Sequence, residues 1–165
     1  MKTIARSRTP ARHEEGLAPR HDDPYRVDAK PREGLACPRC GASVFRGRWT
    51  WRPAPKGAMP STCPACLRIE DAVPGGIVTL RGPFFAAHRD EVMRRVAAVA
   101  EAARVEHPMQ RMMGTEVVAP AEARVTTTEP HLARAIAIAL QDSFKGELDF
   151  QIGPGNRAAR ATWSR

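Results

Sequence analysis

Apolar residues in the second half of the chain recur with the periods of helices and strands. Two stretches, 85–106 and 131–145, place apolar side chains three or four positions apart and predict amphipathic helices. Short β-branched or alternating stretches lie around them and predict strands at 77–81, 111–118, 124–128, 147–152 and 157–163. This order of elements is β-α-β-β-α-β, with the last strand single or doubled, which is the order of the split βαβ, or ferredoxin-like, arrangement. The sequence therefore predicts an α+β domain over residues 73–165.

The first 34 residues show neither period and mix basic with acidic side chains, so they predict a disordered tail. They contain no apolar segment typical of a secretory signal. No stretch of the chain reaches the roughly 18–20 apolar residues of a membrane helix. We therefore expect a cytoplasmic protein without a membrane partner. The predicted divisions are a tail at 1–34, a cysteine-bearing segment at 35–72 and the α+β domain.

The cysteines are the most specific chemical signal in the chain. They form two Cys-x-x-Cys pairs that are separated by 22 residues. Two such pairs fit a tetrahedral four-thiolate zinc site, whereas a redox motif needs a single pair in a thioredoxin-like setting and disulfides are disfavoured in the cytosol. Because all four ligand positions are filled by protein, we predict one structural Zn²⁺ in a zinc ribbon over 35–72. The predicted ligands are Cys37, Cys40, Cys63 and Cys66.

The positive charge is concentrated around these cysteines. The chain carries a formal net charge of +8, and residues 37–82 contain seven basic and two acidic residues, whereas 83–146 contain eight of each. A local excess of cations favours a polyanionic partner, chiefly nucleic acid. The alternative is a general bias toward arginine with no specific partner. Between 37 and 68 all the charged residues are basic: Arg39, Arg46, Arg48, Arg52, Lys56 and Arg68.

Within this basic segment, residues 45–52 alternate between aromatic and basic side chains. The period of two predicts one strand. Its aromatic face could stack on unpaired bases while its basic face follows the phosphates. In the alternative interpretation the tryptophans pack on the neighbouring domain or cover the zinc. The two predicted faces are Phe45, Trp49 and Trp51 on one side and Arg46, Arg48 and Arg52 on the other.

A second candidate site precedes the predicted helix at 131–145. Thr127, Thr128 and His131 could bind an anion at the helix N-terminus, although ordinary helix capping explains the same residues. The chain has no phosphate loop, dinucleotide fingerprint, HExxH or GxSxG motif. We therefore lean toward a protein that is not an enzyme.

The series CPRCG, RGRWTW, CPAC, PGG, EHP and TTxxHLARxxxxAL resembles a family of short, uncharacterised bacterial zinc-ribbon proteins over roughly residues 30–165. This resemblance implies the same metal ligands. More distantly, the ribbon followed by α/β structure is similar to the N-terminal part of the archaeal and eukaryotic adaptor for export of the large ribosomal subunit. That similarity implies a ribosome-associated role.

The sequence thus predicts a non-catalytic zinc-ribbon protein that binds RNA, with the ribosome as its expected partner. One alternative is a small enzyme or phosphate-ligand-binding domain centred on 126–131, in which the zinc is purely structural. A DNA-binding regulator is a further alternative, ranked lower because no predicted helix has an evident surface for the major groove. The oligomeric state stays open.

Overall fold

The computed structural model of the chain describes Tyr25, residues 30–153 and residues 158–165. Most of the tail predicted at 1–34, and the first residue of the strand predicted at 157–163, lie outside the described residues. The described part contains two sheets and four helices. In chain order the elements are β1 Leu35–Ala36, β2 Ser43–Phe45, β3 Arg48–Thr50, β4 Met59–Pro60, α1 Pro64–Glu70, β5 Gly76–Arg81, α2 Pro83–Ala87, α3 Arg89–Glu106, β6 Met112–Ala119, β7 Glu122–Thr127, α4 Pro130–Phe144, β8 Glu147–Ile152 and β9 Ala159–Ser164.

The first sheet is built from short strands in the order β3-β2-β1-β4. Strands β2 and β3 form a hairpin whose turn residues, Arg46 and Gly47, have φ of 52° and 70°. A two-residue turn with both φ angles positive matches the right-handed twist of the strands that it joins. The prediction of one strand over 45–52 is therefore wrong. The aromatic and basic alternation runs across the turn, and alternation alone cannot distinguish one strand from two.

Helix α1 follows the second cysteine pair and was not predicted from the sequence. Cys63 is its N-cap residue, with extended backbone, and Pro64 occupies the first turn. Proline fits this position because its missing N–H would have no partner within the helix. Pro64 was therefore a usable signal of a helix start.

Residues 30–34, which the sequence analysis assigned to the tail, lie against the first sheet. The Glu33 carboxylate accepts a hydrogen bond from the Gly47 N–H at 2.6 Å. The Gly34 carbonyl accepts another from the Met59 N–H at 2.8 Å. We call residues 30–71 the ribbon region.

The second sheet has the order β6-β7-β5-β9-β8, and we call residues 76–165 the sheet region. The element order β-α-β-β-α-β is confirmed, and the second of the two possible final strands is present. Strand β9 runs parallel to β5 and antiparallel to β8, and it lies between them. In a four-stranded split βαβ sheet the strand that follows the second helix pairs directly with the first strand. Here that strand is β8, and β9 separates it from β5, so the four-stranded topology is not confirmed.

One face of this sheet packs against the helices. Alternate residues of β5, β7 and β9 are buried, and they meet the apolar faces of α3 and α4. The helix predicted at 85–106 is interrupted at His88, which has φ of −119° and separates α2 from α3. The largest fully buried apolar side chains of the core are Trp163, Phe85, Leu80, Leu132, Ile136 and Leu140.

Gly75 and Gly76, at the start of β5, allow a close approach to the end of β7 and the first turn of α4. A methyl group added at Gly76 would lie 2.5 Å from the Thr127 hydroxyl oxygen and 2.6 Å from the Ala133 methyl carbon. One added at Gly75 would lie 2.4 Å from the Thr128 carbonyl oxygen. Only glycine fits these positions, and the start of α4 is thereby fixed against the sheet.

Among the described residues, no helix has both the length and the apolar character needed to span a membrane.

Candidate metal centre

The first cysteine pair lies on the loop between β1 and β2. The Cys37 N–H donates to the Ala42 carbonyl at 2.7 Å, and the Gly41 N–H donates to the Cys37 carbonyl at 2.9 Å. Gly41 has φ of 78°, a left-handed conformation that glycine adopts without steric cost. This tight turn brings the Cys37 and Cys40 side chains to the same side of the loop as the second pair.

The second cysteine pair lies on the first turn of α1. Cys63 caps the helix and Cys66 is three residues further on, so the helical turn brings both side chains to one end of the helix. The Cys63 N–H points at the Cys37 sulfur, at an N···S distance of 3.4 Å. A backbone N–H thus links the two pairs directly.

The four sulfur atoms form one cluster. All of them lie within 4.8 Å of one another, and the Cys40 and Cys63 sulfurs are 3.8 Å apart. A tetrahedral site with zinc–sulfur bonds of about 2.3 Å has sulfur–sulfur edges of about 3.8 Å. Cys37, Cys63 and Cys66 are buried and Cys40 is half-buried. The predicted clustering of the cysteines is confirmed, and the cluster could hold a metal ion.

The surroundings of the thiols differ in their effect on ionisation. Burial opposes ionisation of Cys37, but N–H groups of Cys63, Cys40 and Arg39 outweigh it and lower the pKa of Cys37 to about 6. At Cys63 burial dominates and raises the pKa well above its usual range. Burial also raises the pKa of Cys66. Four thiolates this close would repel one another, and a bound cation would offset that repulsion and favour ionisation of all four thiols.

Arg111, immediately before β6, reaches across from the sheet region to this cluster. Its guanidinium N–H groups point at the sulfurs of Cys40, Cys66 and Cys63 at 3.1, 3.3 and 3.5 Å. Burial works against its charge, but the sulfur acceptors outweigh burial and raise the pKa of Arg111 above its usual value. Sequence reasoning missed this residue, because 45 to 71 positions separate it from these cysteines.

Of the two threonines of the predicted anion site, Thr128 supports the loop that carries Arg111, and Thr127 contacts the backbone just before α4. The Thr128 hydroxyl donates to the Met109 carbonyl at 2.5 Å and accepts from the Arg111 N–H at 2.8 Å. The Thr127 hydroxyl donates to the Glu129 carbonyl at 2.8 Å. Both threonines are fully buried, whereas His131 is exposed on the first turn of α4. The structure thus gives the hydroxyls backbone partners and leaves His131 outside that arrangement.

The two tryptophans lie at the junction of the two regions. Trp49 is half-buried and packs against the cysteine cluster. The Trp51 indole N–H donates to the Arg104 carbonyl at the end of α3, at 2.6 Å. The Arg111 guanidinium carbon lies 5.6 Å from the centre of the Trp51 ring. This geometry matches the alternative interpretation, in which the tryptophans cover the metal site and pack on the neighbouring region.

Two of the six candidate cations have structural partners. Arg39 forms an ion pair with Glu70 at 2.7 Å. Arg68 is buried, donates to the Val73 carbonyl at 3.3 Å and lies over the Tyr25 ring at 4.9 Å. Arg68 is thus held within the ribbon region, and the charge of the exposed Arg39 is already paired at the surface.

The other four candidate cations are exposed on the hairpin and the loop that follows it. The guanidinium carbons of Arg46 and Arg52 lie 5.2 and 4.0 Å from the centre of the Phe45 ring. Phe45 and Arg52 also line an open groove of about 600 Å³. We call this set the cationic patch, and its members are Arg46, Arg48, Arg52 and Lys56.

No protein-family model, curated protein or solved structure matches this chain. The interpretation of the site therefore depends on its own geometry. That geometry combines a four-sulfur cluster that could hold a metal ion with the adjacent cationic patch.

Proposed function

We propose that this protein is a non-catalytic zinc-ribbon protein that binds RNA in the cytoplasm, with the ribosome as its expected partner. The observation that carries the proposal is the cationic patch, which leaves four basic side chains exposed on one hairpin and loop. Clustered cations supply most of the affinity of a protein for a polyanion. The adjoining metal centre would hold the hairpin rigid.

The metal is best assigned as zinc. Four thiolates form a soft ligand set, and a closed tetrahedral arrangement of sulfurs is typical of structural zinc. The 3.8 Å separation of the Cys40 and Cys63 sulfurs fits the edge of such a site. With all four positions filled by cysteine, no position is open for a substrate or water, which supports a structural role rather than a catalytic one.

RNA is favoured over duplex DNA because of the aromatic ring inside the patch. The guanidinium of Arg52 lies over the Phe45 ring at 4.0 Å, and the two groups together line the groove. An unpaired base could stack on this flat pair, whereas a base within a duplex could not. Of the three aromatic residues to which the sequence analysis gave a stacking role, Phe45 is the one that we propose for it, because Trp49 and Trp51 pack at the junction.

Two further proposals concern the partner and the fold of the sheet region. The resemblance to short bacterial zinc-ribbon proteins and to the ribosomal export adaptor favours a ribosomal partner over other RNAs. We also interpret the sheet region as a split βαβ unit into which β9 has been added between β5 and β8.

The test is a charge-removal variant of the patch. Arg46, Arg48 and Arg52 are changed together to alanine, and co-sedimentation with separated ribosomal subunits is followed across a salt series. Because each lost phosphate contact lowers the salt dependence by about 0.7–0.9, we expect the slope to fall by about 2–3. Zinc content should stay at one per chain, since none of the three residues is a ligand.

The matched control removes the same charge from exposed positions of α3 and α4, by changing Arg94, Arg95 and Arg134 to alanine. The control should bind as the parent protein does. Equal loss of binding in both triple variants would indicate a response to net charge alone. Unchanged binding of the patch variant would refute the proposal.

A further inference from the structure

Arg111 differs from the other arginines of the sheet region in what its charge faces. It is half-buried, and its guanidinium donates to three of the four clustered sulfurs. Within the described part of the chain, no carboxylate lies within ion-pairing distance of it. The sulfur cluster is therefore the counter-charge for this cation.

The loop that carries Arg111 is built to hold it in place. The Arg111 Nε–H donates to the Pro108 carbonyl at 2.6 Å, and the Arg111 backbone N–H donates to the buried Thr128 hydroxyl at 2.8 Å. Met109 packs against the cysteine cluster from the same loop. Contacts within the sheet region thus hold the guanidinium in position, and the apolar core of that region contains no residue of the ribbon region.

The positive charge of Arg111 would partly offset the negative charge of a loaded four-thiolate site. A divalent metal with four thiolates carries a net charge of −2, and Arg111 reduces the charge of the assembly to −1. N–H groups that point at metal-bound sulfurs draw electron density from them and hold them in orientation. Outer groups of this kind change metal affinity by about 10–100-fold in other metal sites.

We infer that Arg111 is a positioning residue of the metal centre, and that it links retention of the metal to docking of the ribbon region on the sheet region. The inference rests on the proposed metal centre. The coupling is reciprocal, because any group that stabilises the loaded site is itself held more firmly when the site is loaded.

The test compares Arg111→Gln, Arg111→Lys and a control, Arg134→Gln, which alters an exposed arginine on α4. Zinc-loaded proteins are mixed with a chromogenic chelator and the rate of zinc release is recorded. We expect Arg111→Gln to release zinc about 10–100-fold faster than the parent protein. Arg111→Lys should be intermediate, because it keeps the charge but lacks the planar fork that reaches several sulfurs. Arg134→Gln should match the parent.

A spectroscopic readout separates this role from a merely structural one. With Co²⁺ in place of zinc, the sulfur-to-metal charge-transfer bands report the electron density on sulfur. Loss of the N–H···S contacts in Arg111→Gln should shift these bands to lower energy. Parent-like release rates and parent-like bands would overturn the inference. Were Arg111→Gln not to fold, the same two measurements on Arg111→Lys would decide it.

The proposed function and this inference fail separately. Protein that binds neither zinc nor Co²⁺ would contradict the metal centre itself. Protein that binds both, with Arg111 variants that behave as the parent does, would contradict only the role of Arg111.

Discussion

The ribbon region and the sheet region are each stabilised by a different kind of interaction. The sheet region has a continuous apolar core that includes large side chains such as Phe85 and Trp163. The apolar side chains that the ribbon region buries, besides its cysteines, are all small: Ala42, Val44 and Ala65. Segments of about 40 residues seldom bury enough apolar surface to fold alone, and metals commonly substitute for a core. With a metal ion bound, the four-cysteine cluster would stabilise the ribbon region as apolar burial stabilises the sheet region.

This difference gives the junction between the regions a particular importance. Its polar contacts are few: the Arg111 guanidinium contacts the sulfurs and the Trp51 indole N–H donates to the Arg104 carbonyl. Met109 adds an apolar contact to the cysteine cluster. We expect damage to one region to spread to the other mainly through these groups. Three substitutions test this expectation, beginning with the one of largest effect.

Cys63→Ser should remove the metal and disorder the ribbon region while the sheet region stays folded. Cys63 is fully buried at the centre of the sulfur cluster, and a serine hydroxyl is a poor zinc ligand. In hydrogen-exchange mass spectrometry, amides of β1 to β3 should lose their protection, because the binding energy of a structural metal is folding energy. Amides of β5, β7 and β9 should keep theirs.

The neighbouring change Thr62→Ser, which leaves all four sulfurs in place, serves as the control and should retain both zinc and protection. Equal loss of protection in the two sheets of Cys63→Ser would mean that the regions form one cooperative unit. That result would overturn the comparison.

Gly76→Ala should damage the sheet region and leave the metal centre loaded. The new methyl would lie 2.6 Å from the Ala133 methyl carbon, so helix α4 must shift. Overpacking of this kind costs about 1–3 kcal/mol, which urea unfolding of the zinc-loaded protein would measure. Gly114→Ala is the matched control, because a methyl there would meet only the Thr126 hydroxyl at 3.9 Å. Similar destabilisation by both variants would contradict the steric explanation.

Much of the fold could be predicted where the signal is local. Strand β8 was predicted with its observed bounds, and α4 to within one residue, because Pro130 and Gly146 bracket a clear helical period. The position of β9 between β5 and β8 could not be predicted, because strand order depends on which sheet edge is open once the chain has collapsed. The hairpin at Arg46 and Gly47 was missed because the alternating pattern continues through its turn.

The same division holds for the site. The four cysteines were predicted because their spacing is local and their chemistry is specific. Arg111 was not, because nothing near it in sequence marks an arginine that faces sulfurs 45 to 71 positions away. Trp49 and Trp51 suited either stacking or packing, and only tertiary contacts distinguish the two. Contacts between residues that are far apart in the sequence are thus the part of a site that a single sequence does not predict.

Trp51→Phe should have the smallest effect, and it tests how much of the junction depends on one hydrogen bond. The substitution keeps a ring near Arg111 but removes the N–H that donates to the Arg104 carbonyl at 2.6 Å. A hydrogen bond of this kind contributes about 0.5–1.5 kcal/mol, and exposure of Trp51 favours the lower end. The loss should appear as slightly faster exchange at the end of α3 and in β3, with zinc release within about twofold of the parent.

Trp51→Ala, which also removes the ring, should release zinc faster because water then reaches Arg111. If Trp51→Phe released zinc as quickly as Arg111→Gln, the indole rather than the guanidinium would be the group that holds the two regions together.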